Sequence, residues 1–164
     1  HPLLGIPMVG HCFFRTEMVK GLSETYVATC DQEIRDYVES IGGEAIMTSA
    51  THERASDRAA EAMLEIEKRI GSKIDIVVMV QGDEPMVTPV MISQALAPFR
   101  DANVNVVNLM SRISTVSEFE NPSEIKVVVD KKDNAIYFSR EPIPTRKKRY
   151  NGRAYVKASM YYPV

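Results

Sequence analysis

The sequence of 164 residues has no tryptophan, only two cysteines and almost no net charge. Twenty Lys and Arg residues face twenty-two Asp and Glu residues, which leaves a formal charge of -2. A chain without an overall basic field lacks the attraction that non-specific nucleic-acid binding needs, so we expect no nucleic-acid partner. Cys12 and Cys30 have neither a C-x-x-C spacing nor a nearby group of metal ligands. They indicate a reducing, cytoplasmic setting without a disulfide.

A long apolar run is also absent. The longest one, residues 76–80, is far shorter than the roughly 20 residues of a membrane-spanning helix, so we expect no membrane insertion. The opening His1-Pro2-Leu3-Leu4 has no charged region followed by an apolar one, as a signal peptide would. Because the chain starts without Met and ends on an apolar, strand-like stretch, we expect a single domain over residues 1–164 that is incomplete at both ends.

Strand-like and helix-like patterns alternate over the first two thirds of the chain. Asp31 and Thr88 each stand where a helix N-cap belongs, and Pro89 suits a first helical position. The predicted elements, in chain order, are a helix at residues 7–21, a strand at 25–29, a helix at 31–41, a strand at 44–47, a helix at 59–70, a strand at 74–80, a helix at 89–99 and a strand at 104–109. The nearly continuous apolar run at 74–80 is typical of a strand buried on both faces of a parallel sheet.

The last third has a different pattern. Residues 125–129 and 135–138 form two strand-like runs joined by the polar residues 130–134, which predicts a hairpin. Alternating strands and helices followed by a hairpin predict an α/β fold with three layers, α/β/α, in which a mostly parallel sheet carries an antiparallel extension.

Three loops would follow the carboxyl ends of parallel strands, where open α/β sheets bind ligands: residues 30–31, 48–57 and 81–85. In the third loop, Gly82 lets a ligand approach the backbone, and Asp83 and Glu84 supply two carboxylates. Mg²⁺ in proteins takes one or two carboxylates together with phosphate oxygens and water, so Asp83 is the natural metal ligand. The alternative is that Asp83 and Glu84 only cap the turn and the following helix.

The second loop is dense in charge, with five potentially charged side chains among residues 51–58. Such density suits an anion or a polar ligand. From the pattern alone, a solvated helix start is favoured, with Ser56 as the cap and Asp57 stabilised by the helix dipole. His52 is not expected to bind metal, because no second His or Cys lies at a ligand-like spacing.

Arg140 follows the second strand of the hairpin, and its planar guanidinium can hold a carboxylate through two hydrogen bonds. The alternative is a salt bridge to Glu141 or to another neighbour. The basic run at residues 146–149 is short and isolated, which favours a solvated loop over a binding patch. No G-x-S-x-G, G-x-G-x-x-G or P-loop motif is present.

Several short segments occur together in an order and at spacings that match one family across almost the whole chain. They are Pro2-Leu3 with Ile6-Pro7-Met8, Val27-Ala28-Thr29, Gly42-Gly43-Glu44, Met47-Thr48, Gln81-Gly82-Asp83-Glu84-Pro85, Asn121-Pro122 with Ile125-Lys126-Val127-Val128, and Tyr137-Phe138-Ser139-Arg140 with Ile143-Pro144. In this set the sequence resembles the 3-deoxy-manno-octulosonate cytidylyltransferases, also called CMP-KDO synthetases.

The resemblance implies a homodimeric nucleotidyltransferase with a Rossmann-like fold. Such an enzyme couples CTP to the eight-carbon acidic sugar KDO, giving CMP-KDO and pyrophosphate for lipopolysaccharide assembly. By this likeness Asp83 would hold Mg²⁺ against the triphosphate and, with Arg140, carry the catalysis. The remaining implied contacts are Gln81, Gly82, Ser139, Arg140 and Lys157 to the substrates, and His52, Asp57 and Arg58 to the nucleotide.

The sequence departs from the family pattern in two places. The family reads D-H-x-S-G-T-E-R where this chain has Arg54 and Ala55 in the Ser and Gly positions, and Lys157 stands where many members have a His. The family's phosphate loop, which resembles R-x-x-S-x-R-x-P-G-K, would precede His1, and a second metal-binding carboxylate would follow Val164. Two alternatives therefore stay open: an enzyme for a related sugar acid, amino-substituted or sialic-acid-like, and a non-catalytic remnant of the fold.

Overall fold

The computed structural model describes residues 2–144 and the backbone of two short strands, β8 (Val156–Lys157) and β9 (Tyr161–Tyr162). By their contacts the described residues form two compact units, one within His1–Val107 and Tyr162–Val164, the other within Asn108–Tyr161. The expectation of one domain stays a prediction, and the basic run at 146–149 lies outside the described residues. Among the helices that the structure describes, none has the length and apolar character to cross a bilayer.

Apart from residues 74–80, the first unit alternates helices and strands as the sequence predicts, and two of its helices start at predicted caps, Asp31 and Thr88. The side chain of Asp31 accepts a hydrogen bond from the Glu33 N–H (2.8 Å), and Thr88 Oγ1 accepts one from the Met91 N–H (3.3 Å). The elements are β1 (Pro2–Leu3), β2 (Ile6–Pro7), α1 (Met8–Glu17), β3 (Tyr26–Thr29), α2 (Gln32–Ser40), β4 (Glu44–Met47), α3 (Ala55–Ile70), α4 (Pro89–Leu96) and a 3-10 helix (Ala97–Arg100). Strand β5 (Val107–Asn108) spans the point in the sequence where the first unit ends and the second begins.

Strands β3 and β4 pair in parallel, with α2 as the crossover between them. Ile46 of β4 packs on Ala62 and Ile66 of α3, and the three side chains are buried. At the start of β4 the packing is close, because a Cβ built on Gly43 would lie 2.7 Å from Phe13 Cζ and 2.9 Å from Val38 Cγ1. Helices α1 and α2 therefore meet there over a position that has room only for glycine.

Residues 74–80, predicted as a strand buried on both faces, are not a strand in the structure. A β-strand is defined by a ladder of backbone hydrogen bonds, and none of the described strands pairs with these residues. Ile74 packs against the cluster of Ile46, Ala62 and Ile66, and its N–H donates to the Glu67 carboxylate (3.0 Å), while Ile76 is exposed. The predicted burial of this run is therefore correct only in part. The predicted strand is absent because apolar character alone does not supply a strand to pair with.

Several other boundaries differ from the predictions. Helix α3, expected at 59–70, already starts at Ala55. Helix α1 ends at Glu17, four residues before the Gly21 stop, and the helix expected at 89–99 is α4 followed by the 3-10 turn. Of the strand expected at 104–109, only Val107–Asn108 is formed.

The second unit is built on the predicted hairpin. Strands β6 (Ile125–Val129) and β7 (Ala135–Ser139) are antiparallel, β8 pairs antiparallel with β6 on its other side, and the sheet order is β7-β6-β8. A short helix that the sequence analysis missed, α5 (Val116–Glu120), precedes the sheet and starts with a capping box between Thr115 and Glu118. The antiparallel extension of the fold is thus confirmed.

Candidate active site

Two of the three expected ligand loops lie at the carboxyl ends of β3 and β4. The Thr29 carbonyl accepts hydrogen bonds from the Thr48 N–H (2.9 Å) and from Thr48 Oγ1 (3.2 Å), which ties the two strand ends together. Arg58, in the first turns of α3, donates from Nη1 to Thr48 Oγ1 (2.5 Å). A guanidinium is therefore fixed at the edge of the sheet where parallel α/β folds bind ligands.

His52 forms a pair with Glu61, a residue that the sequence analysis did not select. His52 Nε2 contacts Glu61 Oε2, and the same oxygen accepts the Ser49 N–H at 3.0 Å. The Ser49 amide, and after it His52, hold the pKa of the Glu61 carboxyl below its ordinary value. The signal in the sequence was its spacing: Glu61 lies four residues after Asp57, which places the two carboxylates on one face of α3.

A cleft of about 700 Å³ runs along α3 and β4. It brings His52, Asp57 and Glu61 together with an apolar wall of Ala45, Met47, Ala60 and Leu64, and its remaining lining is Arg35, Glu39, Glu44, Glu65, Lys68 and Arg69. Both signs of charge and an apolar wall make this a surface suited to a polar ligand with a flat or apolar part.

The expected Ser56 cap is wrong, because the N-cap of α3 is Arg54, whose side chain makes no capping bond.

The loop at residues 81–85 is a turn beside α1. The Glu84 N–H donates to the Gln81 carbonyl (3.2 Å) and the Val87 N–H to the Glu84 carbonyl (3.1 Å). Asp83 is exposed, and the cap of α4 is Thr88, so neither Asp83 nor Glu84 caps that helix. A Cβ on Gly82 would meet nothing within 4 Å, so there is open space beside the backbone at this position.

The causes of the pKa shift of Cys12, a residue of α1, show that this loop lies close to that helix. Burial raises the pKa of Cys12, the charges of Asp83 and Glu84 raise it further, and a hydrogen bond from the Glu84 backbone opposes them. The carboxylates of Asp83 and Glu84 thus lie near enough to act on a side chain of α1.

The donor set around Asp83 fits a substrate-bound Mg²⁺ and does not fit a pre-formed metal cage. Within the described ranges, no three His, Cys, Asp or Glu side chains are grouped so as to hold a metal ion. Mg²⁺ usually keeps several waters and is held by one or two carboxylates plus substrate phosphates. One exposed aspartate meets that requirement when a triphosphate supplies the remaining oxygens.

Ser139 and Arg140, at the end of β7, are fixed by backbone groups of the second unit. Arg140 Nη1 donates to the carbonyls of Pro122 (3.0 Å) and Ser123 (3.3 Å), so the expected salt bridge to Glu141 is not what holds it. Ser139 Oγ accepts the Glu141 N–H (2.9 Å), which leaves its hydroxyl proton for another acceptor. The backbone of Lys157 pairs with Ile125 in the sheet, and its side chain lies outside the described residues.

A family model described as "Cytidylyltransferase" matches residues 1–163, almost the entire chain. The chain belongs to the cytidylyltransferase family. Among curated cytidylyltransferases it is 42% identical over 150 residues to the 3-deoxy-manno-octulosonate cytidylyltransferase of Geobacter metallireducens, covering 91% of this chain and 57% of that protein. The enzyme of the same name from Escherichia coli is 38% identical over 142 residues, covering 87% of this chain and 55% of that protein.

Two further comparisons bear on fold and substrate. A solved structure of CMP:2-keto-3-deoxy-manno-octonic acid synthetase complexed with CTP matches with a TM-score of 0.87 and 35% identity, over 99% of this chain and 66% of that one. The α/β nucleotidyltransferase fold is thereby confirmed. An 8-amino-3,8-dideoxy-manno-octulosonate cytidylyltransferase from Shewanella piezotolerans is 37% identical over 145 residues, or 87% of this chain and 58% of that protein. The chain therefore spans a little over half the length of these curated cytidylyltransferases.

Proposed function

We propose that this cytidylyltransferase couples CTP to 3-deoxy-manno-octulosonate, giving CMP-KDO and pyrophosphate. The observation that carries the proposal is the match along 99% of the chain to a synthetase of that sugar acid complexed with CTP. In the reaction, the anomeric hydroxyl of the sugar loses its proton to water, and its oxygen forms a bond to the α-phosphorus of CTP. The bond from that phosphorus to the bridging oxygen breaks, and pyrophosphate leaves.

The first unit supplies the nucleotide contacts in this proposal. Arg58 and His52 lie at the carboxyl end of the parallel pair, and Asp57 lines the same cleft as His52. Gln81 and Gly82 belong to the turn that presents Asp83, and the open space beside Gly82 admits a phosphate close to the backbone. A bound Mg²⁺, held by Asp83 together with phosphate oxygens, would neutralise charge on the triphosphate.

The second unit supplies the sugar-acid contacts. Nη1 of Arg140 is bound to two carbonyls, whereas its Nε–Nη2 edge makes no hydrogen bond to another described residue and can hold a carboxylate through two parallel hydrogen bonds. Ser139, whose oxygen already accepts a hydrogen bond, can donate its own proton to the sugar. Lys157 follows from the resemblance as a further substrate contact.

The proposal is tested by titrating CTP into the full chain with and without Mg²⁺, and then assaying pyrophosphate release with CTP and KDO. Mg²⁺-dependent CTP binding and turnover that needs KDO would support it. The 8-amino sugar acid and a sialic acid serve as competitors, and preferred turnover of either would identify a related sugar-acid enzyme instead. A folded chain that binds neither CTP nor KDO would contradict the proposal and favour the non-catalytic alternative.

Asp83→Asn separates the metal role from folding. We expect this variant to bind CTP with Mg²⁺ no better than the wild-type chain does without it, and turnover to be lost, because an amide is a weaker ligand than a carboxylate for a hard cation. The midpoint of denaturant unfolding should not change, since Asp83 is exposed. Asp75→Asn, at another exposed aspartate of the same stretch, is the matched control. Normal Mg²⁺ dependence in Asp83→Asn would contradict the assignment.

The setting of this reaction is also a proposal. A role in lipopolysaccharide assembly, a homodimer and a cytoplasmic location follow from the resemblance and from the two cysteines. Cys12 and Cys30 are free thiols in the structure, which is compatible with a reducing compartment.

A further inference from the structure

Lys126 is fully buried in the second unit, with none of its surface exposed to solvent. Its ammonium donates three hydrogen bonds, to the carbonyls of Asn121 (2.5 Å), Glu124 (3.0 Å) and Arg140 (2.7 Å). A buried charge is expensive unless hydrogen bonds replace its water, and an ammonium has three protons to donate. Here all three are used, on the turn at residues 121–124 and on Arg140, which lies 14 residues after Lys126.

Arg140 also connects the end of β7 to the turn at residues 121–124. Its backbone carbonyl receives Lys126, while its own Nη1 donates to the carbonyls of Pro122 and Ser123. The turn at residues 121–124 is thus held by two cations, one from β6 and one from the end of β7. Both the backbone and the guanidinium of Arg140 are fixed against this one turn.

We propose that Lys126 is a positioning residue that fixes Arg140, so that the Nε–Nη2 edge of the guanidinium is pre-oriented for the carboxylate of the sugar acid. The role of Arg140 toward the sugar rests on the proposed function, whereas the Lys126 contacts do not. Bidentate recognition depends on geometry, and a guanidinium that is already ordered loses less conformational freedom on binding. Lys126 itself is fully buried and has no exposed surface with which to contact a substrate.

The first test follows the Arg140 side chain in the full chain without ligand, through the NMR relaxation of its Nε–Hε group. We expect a rigid group in the wild-type chain and a mobile one in Lys126→Met, which replaces the aliphatic part of the side chain with an unbranched one of similar size and removes the ammonium donors. Lys131→Met, at an exposed lysine in the β6–β7 turn, is the matched control and should leave the group rigid. An Nε–Hε group that stays equally rigid in Lys126→Met would overturn the proposal.

A second measurement decides the matter if Lys126→Met does not fold. In the wild-type chain the Lys126 ammonium protons should exchange slowly with water and show hydrogen-bond couplings to the Arg140 carbonyl. Exchange as rapid as that of Lys131 would overturn the proposal. Lys126→Arg, which retains the charge and donors for the same carbonyls, is expected to restore part of the rigidity of the Arg140 group.

A double-mutant cycle then connects the contact to function. Lys126→Met should weaken KDO binding by roughly tenfold or more, as expected for loss of a charge-assisted contact, and leave CTP binding unchanged. In the Arg140→Ala background it should have no further effect on KDO binding. Equal losses in both backgrounds would indicate a merely structural role and overturn the proposal. If the wild-type chain does not bind KDO, the proposed function fails, while the relaxation of Arg140 still decides the role of Lys126.

Discussion

Glu61 shows how a single carboxylate joins a loop to a helix in this protein. It accepts the Ser49 amide and contacts His52, so the loop after β4 is bound to the middle of α3. Both contacts favour the ionised form and lower the pKa of Glu61 below 4.5, its ordinary value. Because the pKa is lower in the folded chain than in the unfolded one, this carboxylate stabilises the fold above pH 4.5. That contribution is lost as the pH falls through the folded-state pKa.

Replacing Glu61 by Gln removes this pH dependence. We expect the free energy of unfolding of Glu61→Gln to fall less steeply than that of the wild-type chain below about pH 4.5. The measurement is denaturant unfolding at a series of pH values from neutral to acidic. Glu53→Gln, at an exposed position in the same loop, is the control. Its free energy of unfolding should fall at acidic pH as steeply as that of the wild-type chain, so that its acid limb is unchanged. An unchanged limb in Glu61→Gln would show that the two contacts do not perturb this carboxyl.

Some of the residues discussed above could be selected from the sequence, and others could not. Asp83, His52 and Arg140 were selected from charge, turn chemistry and family resemblance, and the structure places each in a defined local environment. Glu61 and Lys126 were not selected as site residues. Glu61 accepts a backbone N–H from a residue 12 positions away, and Lys126 donates to a backbone carbonyl 14 positions away. No periodicity of the sequence specifies such a partner.

At the scale of elements, local signals predicted helices better than strands. Helices α2 and α4 start at the caps that the sequence indicates, because a cap is a contact between near neighbours. Residues 74–80 were mispredicted, since a strand depends on a partner that is distant in sequence. The five-residue helix α5 was missed even though Thr115 and Glu118 carry the capping-box spacing.

Asp31 gives a direct test of one such cap at the carboxyl end of β3. Asp31→Ala leaves the Glu33 N–H without its acceptor, and we expect a loss of about 1 kcal/mol in the free energy of unfolding. Asp31→Asn keeps an acceptor oxygen and should lose much less. Denaturant midpoints of the three proteins give the answer, and equal stability of the Ala and Asn variants would argue against a capping role.

Gly43 and Gly82 differ in whether the surrounding structure leaves room for a side chain. Gly43→Ala forces a methyl group against Phe13 and Val38, and we expect a destabilisation of about 1–3 kcal/mol. Gly82→Ala places the same methyl group in open space and should change stability by less than about 0.5 kcal/mol. Thermal unfolding compares the two. A stability loss in Gly82→Ala as large as that in Gly43→Ala would show that the loop is packed.

At the scale of the whole molecule, the fold class was predictable because alternating elements and a terminal hairpin leave few arrangements. The assignment to one family came from the ordered set of short segments, and the comparisons confirm it. Composition alone would have indicated only an ordinary globular protein. The sugar specificity was not predictable, because the departures at Arg54, Ala55 and Lys157 concern individual contacts.

The homodimer implied by the resemblance is tested in solution. We expect sedimentation velocity of the full chain to give a species of twice the monomer mass, whose share increases with protein concentration. The exposed side chain of Ile136 on β7, which is 65% accessible, adds apolar surface that a second subunit would cover. Ile136→Lys should then increase the monomer share, whereas Val90→Lys, at an exposed position on α4, serves as the control. A monomer at all concentrations would contradict the dimer.

The two cysteines differ in exposure and therefore in how readily they react with a thiol reagent. Cys30 is exposed directly after β3, whereas Cys12 is buried in α1 with its pKa raised by that burial. A maleimide dye should therefore attach at Cys30 alone, beside the end of the sheet where the nucleotide contacts are proposed. Cys12 would be alkylated only when α1 opens, so its labelling rate under native conditions measures how often this helix separates from the rest of its unit.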